Sequence, residues 1–277
     1  MKKFLRFIKI EHTLFSLPLI YAGVFLAAET MPSVELLVLV LVAATGARTT
    51  AMTLNRIIDA EIDKRNLRTK DREIPAGIMS KIEAFGVLIA GLAVYFVTAY
   101  FISWFCFILS PIPLIIFIVY PYAKRFTALA HFGVGLGLSM APLGGWFAVK
   151  GSLDDFFIGI LLPLFTFFWA TGFDIIYSTL DEKFDRAAGL YSFPSRLGKE
   201  KVLQISAFLH ILAFTILVLL FVLSVQSLVA FPFLLIAGFL LYLEQKKSSD
   251  VELAFFKINA FIGFVVLVMV LMKGFSL

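Results

Sequence analysis

Apolar residues run through this chain in nine long stretches that are separated by short polar segments. Most of the stretches approach the roughly 20 residues that an α-helix needs to cross the hydrocarbon core of a membrane. The pattern therefore predicts nine transmembrane helices, of which the first and the eighth are short. The stretches cover residues 13–28, 34–55, 82–101, 104–121, 128–148, 156–178, 202–223, 228–243 and 252–273.

The composition supports a protein that lies almost entirely in a membrane. Hydrophobic residues make up 61% of the chain and its mean hydropathy is +0.97, whereas soluble domains are about 45–50% apolar. We expect an all-α polytopic membrane protein with a single domain over residues 1–277. A basic start before an apolar run is also typical of a signal peptide, but the polar Glu11 and His12 favour a first transmembrane helix.

Basic residues lie mainly in alternate connecting segments. With the N-terminus in the cytoplasm, 20 of the 24 Lys and Arg residues fall in cytoplasmic segments, and only Lys150 and Lys273 fall in outer ones. This asymmetry is the positive-inside signature, and it predicts a multi-pass protein of the cell inner membrane with a cytoplasmic N-terminus. The formal net charge of +5 follows from this topology and from an affinity for phosphate, and it gives no reason to expect nucleic acid as a partner.

Two motifs of the same form end two of the apolar stretches, each a polar residue followed by two aspartates at intervals of four residues. The first comprises Asn55, Asp59 and Asp63, and the second comprises Tyr177, Asp181 and Asp185. Residues at i, i+4 and i+8 lie on one face of a helix. We therefore expect each motif to present both carboxylates together at the cytoplasmic side. Asp174, seven residues before Asp181, is a candidate outer member of the second site.

Aspartates at this spacing repel each other unless cations bind between them. Carboxylates at membrane depth are costly and usually functional. Mg²⁺ prefers oxygen ligands and commonly binds one or two carboxylates together with substrate phosphates, so we expect two Mg²⁺ ions and a diphosphate-bearing substrate. Asn55 and Tyr177 would add a metal or phosphate ligand and a phosphate donor, or else simple interhelical hydrogen bonds. The alternative for the aspartates is a pair of solvated helix ends neutralised by nearby Lys and Arg.

Basic side chains near the first motif are candidates for binding the phosphates. Arg68 and Arg72 lie in the polar loop that follows it, and guanidinium groups suit phosphate oxygens. Lys124 lies four residues after Tyr120, so a continuous helix would place both on one face, although Pro121 lies between them. The alternative for the loop is a positive-inside segment without a catalytic role.

Arg48 lies inside an apolar stretch, seven residues before Asn55 and on nearly the same helical face. An arginine at that depth is costly unless it faces a cavity or a partner. We interpret it as an anchor for a carboxylated or otherwise anionic second substrate. The alternative is an internal salt bridge to Glu11 or to a motif aspartate. Cys106 is the only cysteine, which excludes an intrachain disulfide.

Together, the two motifs resemble those of the UbiA superfamily of intramembrane aromatic prenyltransferases. The resemblance includes residues 10–18, residues 47–52 before the first motif and residues 72–77 after it. Within the superfamily the chain looks most like the 4-hydroxybenzoate polyprenyltransferases and related enzymes of menaquinone synthesis. One departure is Arg56, where several relatives carry Asp, so the first site has one carboxylate fewer.

The resemblance implies nine transmembrane helices around a central cavity, in contact with membrane lipid, and a polyprenyl diphosphate that is ionised with the help of Mg²⁺. The implied metal ligands are Asp59, Asp63, Asp181, Asp185 and Asn55, and the implied diphosphate-binding residues are Arg68, Arg72, Lys124, Tyr177 and Asp174. A small aromatic acceptor would then attack the allylic cation, with Arg48 on its carboxylate and Tyr120 orienting substrate.

Other readings of the same residues stay open. The acceptor can be of the dihydroxynaphthoate type or a glycerol phosphate lipid precursor, because Arg48 suits a phosphate as well as a carboxylate. The alternative outside enzymes is an ion-coupled transporter. It is disfavoured because the acidic groups gather at one membrane face, whereas transporters keep their sites near the midplane.

Overall fold

The computed structural model of the protein describes residues 2–8, 13–251 and 257–273. Over these ranges the chain is helical and contains no strand. The α-helices, in chain order, are α1 Lys2–Phe7, α2 Thr13–Ala27, α3 Val34–Arg65, α4 Lys81–Ile102, α5 Trp104–Leu109, α6 Pro111–Ala123, α7 Ala130–Lys150, α8 Phe156–Gly159, α9 Leu161–Ser178, α10 Glu182–Ala187, α11 Phe193–Leu197, α12 Lys199–Leu220, α13 Phe231–Lys246 and α14 Asn259–Leu271. A 3₁₀ turn, Thr179–Asp181, joins α9 to α10, and a π-helical turn, Phe221–Val225, follows α12.

Within the described ranges, six helical segments are long and apolar enough to cross a membrane. They are Val34–Arg65, Lys81–Ile102, Trp104–Ala123, Ala130–Lys150, Phe156–Ala187 and Lys199–Val225. The apolar helices Ser16–Ala27 and Asn259–Leu271 are shorter, and α13 has 16 residues. The structure therefore has the helices of a polytopic membrane protein, while the count of nine spans and the cytoplasmic N-terminus stay predictions. Residues 252–256 of the last predicted stretch lie outside the described ranges.

The helices pack in two groups. In the first group α3 packs along α4 and also contacts α6. In the second, α9 packs along α12 while α14 packs on α13 and α2, and α7 joins the groups by packing on both α2 and α9. The main apolar core lies in the second group, where Trp169, Phe165, Leu217 and Ile262 are fully buried. Large apolar side chains pack densely in this half of the bundle.

A cavity of about 360 Å³ lies in the other half. Its lining comes from α2 to α7 and from Phe173 of α9, and no described residue of α12, α13 or α14 belongs to it. The cavity thus lies between the first helix group and α7, while large side chains fill the core of the second group. That the helices surround a central cavity stays a prediction.

Two glycines set the distance between α2 and α7 along one wall of this cavity. A Cβ atom on Gly145 would lie 2.1 Å from the carbonyl oxygen of Ile20, and one on Gly23 would lie 2.1 Å from that of Pro142. Both distances are far below van der Waals contact, so the backbones approach this closely only because neither residue has a side chain. Such small-residue contacts are typical of helices that pack in membranes.

The two aspartate motifs are built differently. Helix α3 runs without interruption to Arg65, so the first motif lies on a continuous α-helix. Helix α9 ends at Ser178, where the hydroxyls of Ser178 and Thr179 donate to backbone carbonyls three residues back, at 2.7 Å each. Such local bonds compete with helical continuation. The expectation that the second motif occupies one α-helical face is therefore wrong, since the 3₁₀ turn separates Tyr177 from Asp185.

Candidate active site

The first motif lies at the polar end of α3, beside the end of α6. The Asp59 side chain is only 3% exposed, and its Oδ2 accepts hydrogen bonds from Lys124 Nζ at 2.6 Å and from Asn55 Nδ2 at 3.3 Å. Arg125 Nη1 lies 3.6 Å from the other oxygen, Oδ1. The buried Asp59 carboxylate thus has two cationic neighbours, one on each oxygen.

Helix α6 continues through Pro121, which resolves the geometry of its two polar residues. Tyr120 lies within electrostatic range of Asp59, and Lys124, one turn further on, binds Asp59 directly. Lys124 directly follows α6, so this ion pair joins the end of α6 to α3 where the apolar cavity meets the charged site.

The loop over residues 66–80 folds back onto the end of α3. Arg72 Nη1 donates to both oxygens of Asp63, at 2.9 and 2.8 Å, and the Asp63 side chain is 6% exposed. The Thr69 hydroxyl donates to the Asp63 carbonyl at 3.2 Å. Arg72 is therefore fixed on a motif aspartate, whereas Lys64 and Lys70 of the same segment are exposed to solvent.

Arg68 connects the two motifs. Its Nε donates to Asp181 Oδ1 at 2.9 Å, its Nη2 donates to Asp181 Oδ2, and its Nη1 donates to the Tyr177 hydroxyl at 2.7 Å. Asn66 Nδ2 also donates to Asp181 Oδ1, at 2.8 Å. The loop behind the first motif thus binds the second, which places the two motifs at one site.

The pKa of Arg68 reflects this setting. Burial lowers it, but the hydrogen bonds and charges of Asp181 and Tyr177 outweigh that effect and raise it above its ordinary value. The guanidinium therefore stays charged at every physiological pH, and its planar fork holds the Asp181 carboxylate through two nitrogens.

The remaining acidic residues of the second motif contact the segment that follows it. Asp185 lies close to the Ser192 side chain and within electrostatic range of Asp181 and Lys124. Asp174 Oδ2 lies 2.7 Å from His131 Nδ1 of α7, and the Phe193 amide donates to His131 Nε2 at 3.4 Å. This pairing indicates that Nδ1 carries the proton. Asp174 therefore links α9 to α7 and, through His131, to α11.

Arg48 and Tyr120 lie in the lining of the cavity, together with Phe173. Most of the remaining lining residues are apolar. Arg48, Asp59 and Asp174 all lie within electrostatic range of the Tyr120 hydroxyl. The alternative partner Glu11 lies outside the described residues. The cavity thus has a polar end that adjoins the two motifs and an apolar body.

The model of the UbiA prenyltransferase family matches residues 16–271, which is nearly the whole chain. The chain belongs to this family. Among curated relatives, a 4-hydroxybenzoate octaprenyltransferase from Francisella tularensis subsp. novicida (strain U112) is 28% identical over 195 residues, which cover 70% of this chain and 66% of the relative. The chain thus spans just under two thirds of that relative's length.

Solved structures of UbiA homologues have the same fold. The apo structure of a homologue from Aeropyrum pernix K1 is 30% identical, covers 96% of this chain and 99% of its own, and has a TM-score of 0.88. A homologue from Archaeoglobus fulgidus bound to DMAPP and Mg²⁺ covers the same shares with a TM-score of 0.72. Its sequence identity is 20%, so this second likeness concerns the fold alone.

The donor set of this UbiA family member fits Mg²⁺ in chemistry, although the residues are not assembled around a common point. Within the described ranges, no three acidic, His or Cys side chains converge as a metal site. A basic side chain holds each of Asp59, Asp63 and Asp181 instead. Their oxygens are of the type that Mg²⁺ prefers, and Asp59 Oδ1 is buried without a hydrogen-bond partner in the described part of the chain. Asp59 Oδ1 is thus a motif oxygen that a metal could reach without displacing a hydrogen bond.

Four residues of the site were not predicted from the sequence. Asn66 binds Asp181, and it directly follows α3, so its position was a usable signal. Arg125 adjoins Lys124, and its Nη2 donates to the Ile58 carbonyl at 2.8 Å. His131 and Ser192 are single polar residues in apolar or turn segments, and nothing in their local sequence distinguishes them.

Proposed function

We propose that this protein transfers a polyprenyl group from a polyprenyl diphosphate to an aromatic acceptor of the 4-hydroxybenzoate type, with release of diphosphate, in quinone biosynthesis. The observation that carries this proposal is the meeting of both aspartate motifs at the polar end of an apolar cavity, with Arg68 crossing from one motif to the other. The names of the curated relatives, such as the octaprenyltransferase from Francisella, support the choice of acceptor.

The bases that hold the carboxylates are the groups that bind the diphosphate. Arg68, Arg72 and Lys124 each bind one motif aspartate in the structure, and phosphate oxygens suit the same donors. When substrate arrives, these side chains exchange a carboxylate for a phosphate oxygen. Their positive charge then stabilises the negative charge that develops on the departing diphosphate.

Asp59, Asp63, Asp181 and Asp185, with Asn55, are the residues that would hold Mg²⁺, and we expect two ions. Bound Mg²⁺ supplies further neutralisation of the leaving diphosphate. The chain's own task there is to hold four carboxylates close to the phosphates. Tyr177 and Asp174 support this arrangement, because Tyr177 orients Arg68 and Asp174 holds His131.

The cavity then serves the carbon skeleton. Its apolar lining excludes water from the allylic cation that remains after diphosphate leaves. Tyr120 lies at the polar end of the cavity, where it orients substrate, and Arg48 lies in the same lining, where its charge suits the carboxylate of an aromatic acceptor. The acceptor ring attacks the cation ortho to its hydroxyl, which forms the new carbon–carbon bond, and the same ring carbon then loses its proton, which restores aromaticity.

The location of the site follows the distribution of basic residues. Arg68, Arg72 and Lys124 lie in segments that the positive-inside pattern assigns to the cytoplasm. Lys150 and Lys273, which the same pattern assigns to the outside, lie within electrostatic range of each other and of Glu29. We propose an inner-membrane protein whose active site opens to the cytoplasmic side.

The test is a transfer assay with the purified protein in detergent or nanodiscs. Labelled geranyl, geranylgeranyl and octaprenyl diphosphate are each incubated with Mg²⁺ and with 4-hydroxybenzoate, dihydroxynaphthoate or glycerol phosphate lipid precursors. Prenylated 4-hydroxybenzoate that disappears with EDTA is the expected product. Product from another acceptor alone would overturn the acceptor assignment. Transport of an ion without diphosphate release would overturn the proposal that the protein is an enzyme.

A further inference from the structure

A second group of charges lies behind the first motif, and the reaction proposed above does not use it. Glu73, in the loop over residues 66–80, has a side chain only 3% exposed. Its Oε2 lies 3.6 Å from Arg56 Nη1 of α3, whose side chain is 5% exposed, and its Oε1 lies 3.1 Å from Arg6 Nε of α1. A loop carboxylate is thus buried between two arginines of two different helices.

This group adjoins the active site through Arg72. Arg72 directly precedes Glu73 and donates to both oxygens of Asp63. Arg56 lies within electrostatic range of Arg72, Asp63 and Tyr177. A buried guanidinium group, that of Arg56, and a half-buried one, that of Arg72, therefore lie close to a single motif carboxylate. Without a second negative charge, Arg56 would repel Arg72 and attract Asp63 itself.

Glu73 supplies that second negative charge. The ion pair to Glu73 neutralises Arg56, so Arg72 alone binds Asp63. The loop carboxylate therefore balances the positive charge that Arg56 places beside Arg72.

We propose that Glu73 is a positioning residue, which holds Arg56 in a buried ion pair and thereby keeps Arg72 on Asp63. From there the Arg72 guanidinium moves to the diphosphate when substrate binds. The proposal rests on the proposed function only for its effect on substrate. Its effect on the loop is independent of the substrate. Glu73 itself contacts neither motif, so its action passes through Arg56 and Arg72.

The test compares Glu73→Gln with Arg56→Gln and with the double variant Arg56→Gln/Glu73→Gln. Glu73→Gln leaves Arg56 charged and unbalanced, so we expect the KM for prenyl diphosphate to rise about tenfold or more, which corresponds to about 1.4 kcal/mol. Arg56→Gln removes the guanidinium that competes with Arg72 for Asp63 and leaves Glu73 paired with Arg6. Its KM for prenyl diphosphate therefore stays within about threefold of the wild-type KM. The double variant restores the KM toward that value.

Hydrogen exchange of residues 66–80 provides a readout without substrate. We expect faster exchange in Glu73→Gln than in wild type, Arg56→Gln and the double variant, because Arg72 loses its hold on Asp63. The matched control is Glu83→Gln, since Glu83 pairs with Lys3 at 2.6 Å on the same end of the protein but is 42% exposed. Gln at this position still completes the capping box with Ser80, so exchange and KM stay unchanged.

Three results would overturn the proposal. Glu73→Gln with wild-type KM and exchange would remove any role for the residue. Equal damage from Glu73→Gln and Arg56→Gln would show that the ion pair only stabilises the fold. Failure of the double variant to recover would show the same, including where Glu73→Gln alone does not fold. If the wild type transfers no prenyl group, the proposed function fails, while the exchange experiment still decides the role of Glu73.

Discussion

Arg68 is the side chain whose replacement by lysine gives the most informative change at the site. Arg68→Lys keeps the positive charge but loses the planar fork. The arginine makes two hydrogen bonds to Asp181 and one to the Tyr177 hydroxyl, whereas a single ammonium at that position reaches only one of these acceptors in good geometry. The substitution therefore removes about two charge-assisted hydrogen bonds without altering the net charge.

The size of the effect follows from these contacts. Hydrogen bonds to charged groups contribute about 1.5–3 kcal/mol each, but the Arg68 side chain is 31% exposed, so solvent screening reduces each to about 1 kcal/mol. Losing two costs about 2 kcal/mol, which is roughly 30-fold in an equilibrium constant. If the same fork binds the diphosphate, the KM for prenyl diphosphate rises by roughly 10- to 30-fold, and kcat changes less.

The assay measures initial rates of prenyl transfer at saturating acceptor over a range of prenyl diphosphate concentrations. Arg65→Lys is the matched control, because Arg65 is exposed and its Nε donates only to the Glu61 carbonyl of its own helix, at 3.4 Å. Its KM is expected to equal that of the wild type. A KM for Arg68→Lys within twofold of wild type would refute the reasoning, and so would an equal increase in Arg65→Lys.

Three further outcomes are expected. Gly145→Ala lowers the melting temperature, since its Cβ would lie 2.1 Å from the Ile20 carbonyl oxygen and overpacking of this kind costs about 1–3 kcal/mol. Gly144→Ala is the control and leaves the melting temperature unchanged, because no described atom lies within 4 Å of its new Cβ. Equal melting curves for the two variants would contradict the close packing of α2 and α7. Alkylation of Cys106, which lies in the cavity lining, is slowed by prenyl diphosphate with Mg²⁺, and an unchanged rate measured by mass spectrometry would argue against a tail in this cavity. Tyr120→Phe keeps the ring but loses the hydroxyl that we propose orients substrate in the cavity. We expect a kcat lower by roughly tenfold, which corresponds to the loss of about one hydrogen bond, and an unchanged kcat would show that the hydroxyl has no role in the reaction.

The sequence predicted the first aspartate motif better than the second, for a physical reason. Asn55, Asp59 and Asp63 lie on one uninterrupted helix, so their spacing translated directly into a shared face. In the second motif, Ser178 and Thr179 bond to the preceding turn and the helix gives way to a 3₁₀ turn. The hydroxyl residues are visible in the sequence, but whether they bond locally depends on the packing of α9.

The sequence patterns could not predict which distant segments contact each other. The pairing of Arg68 with Asp181 joins residues 113 apart, and that of Lys124 with Asp59 joins residues 65 apart. Loop bases were expected to bind phosphate, but nothing indicated which carboxylate each would hold without substrate. Glu73 looked like one acidic residue in a charged loop, and only its burial between Arg6 and Arg56 distinguishes it.

The central claim is that the two motifs act as halves of one diphosphate-ionising centre. The most direct measurement is Mg²⁺-dependent prenyl transfer by wild type, Asp59→Asn and Asp181→Asn, with folding checked by melting temperature. One residue comes from each motif, so the account predicts that either substitution lowers kcat by about 100-fold or more. Rates near wild type in both folded variants would contradict it.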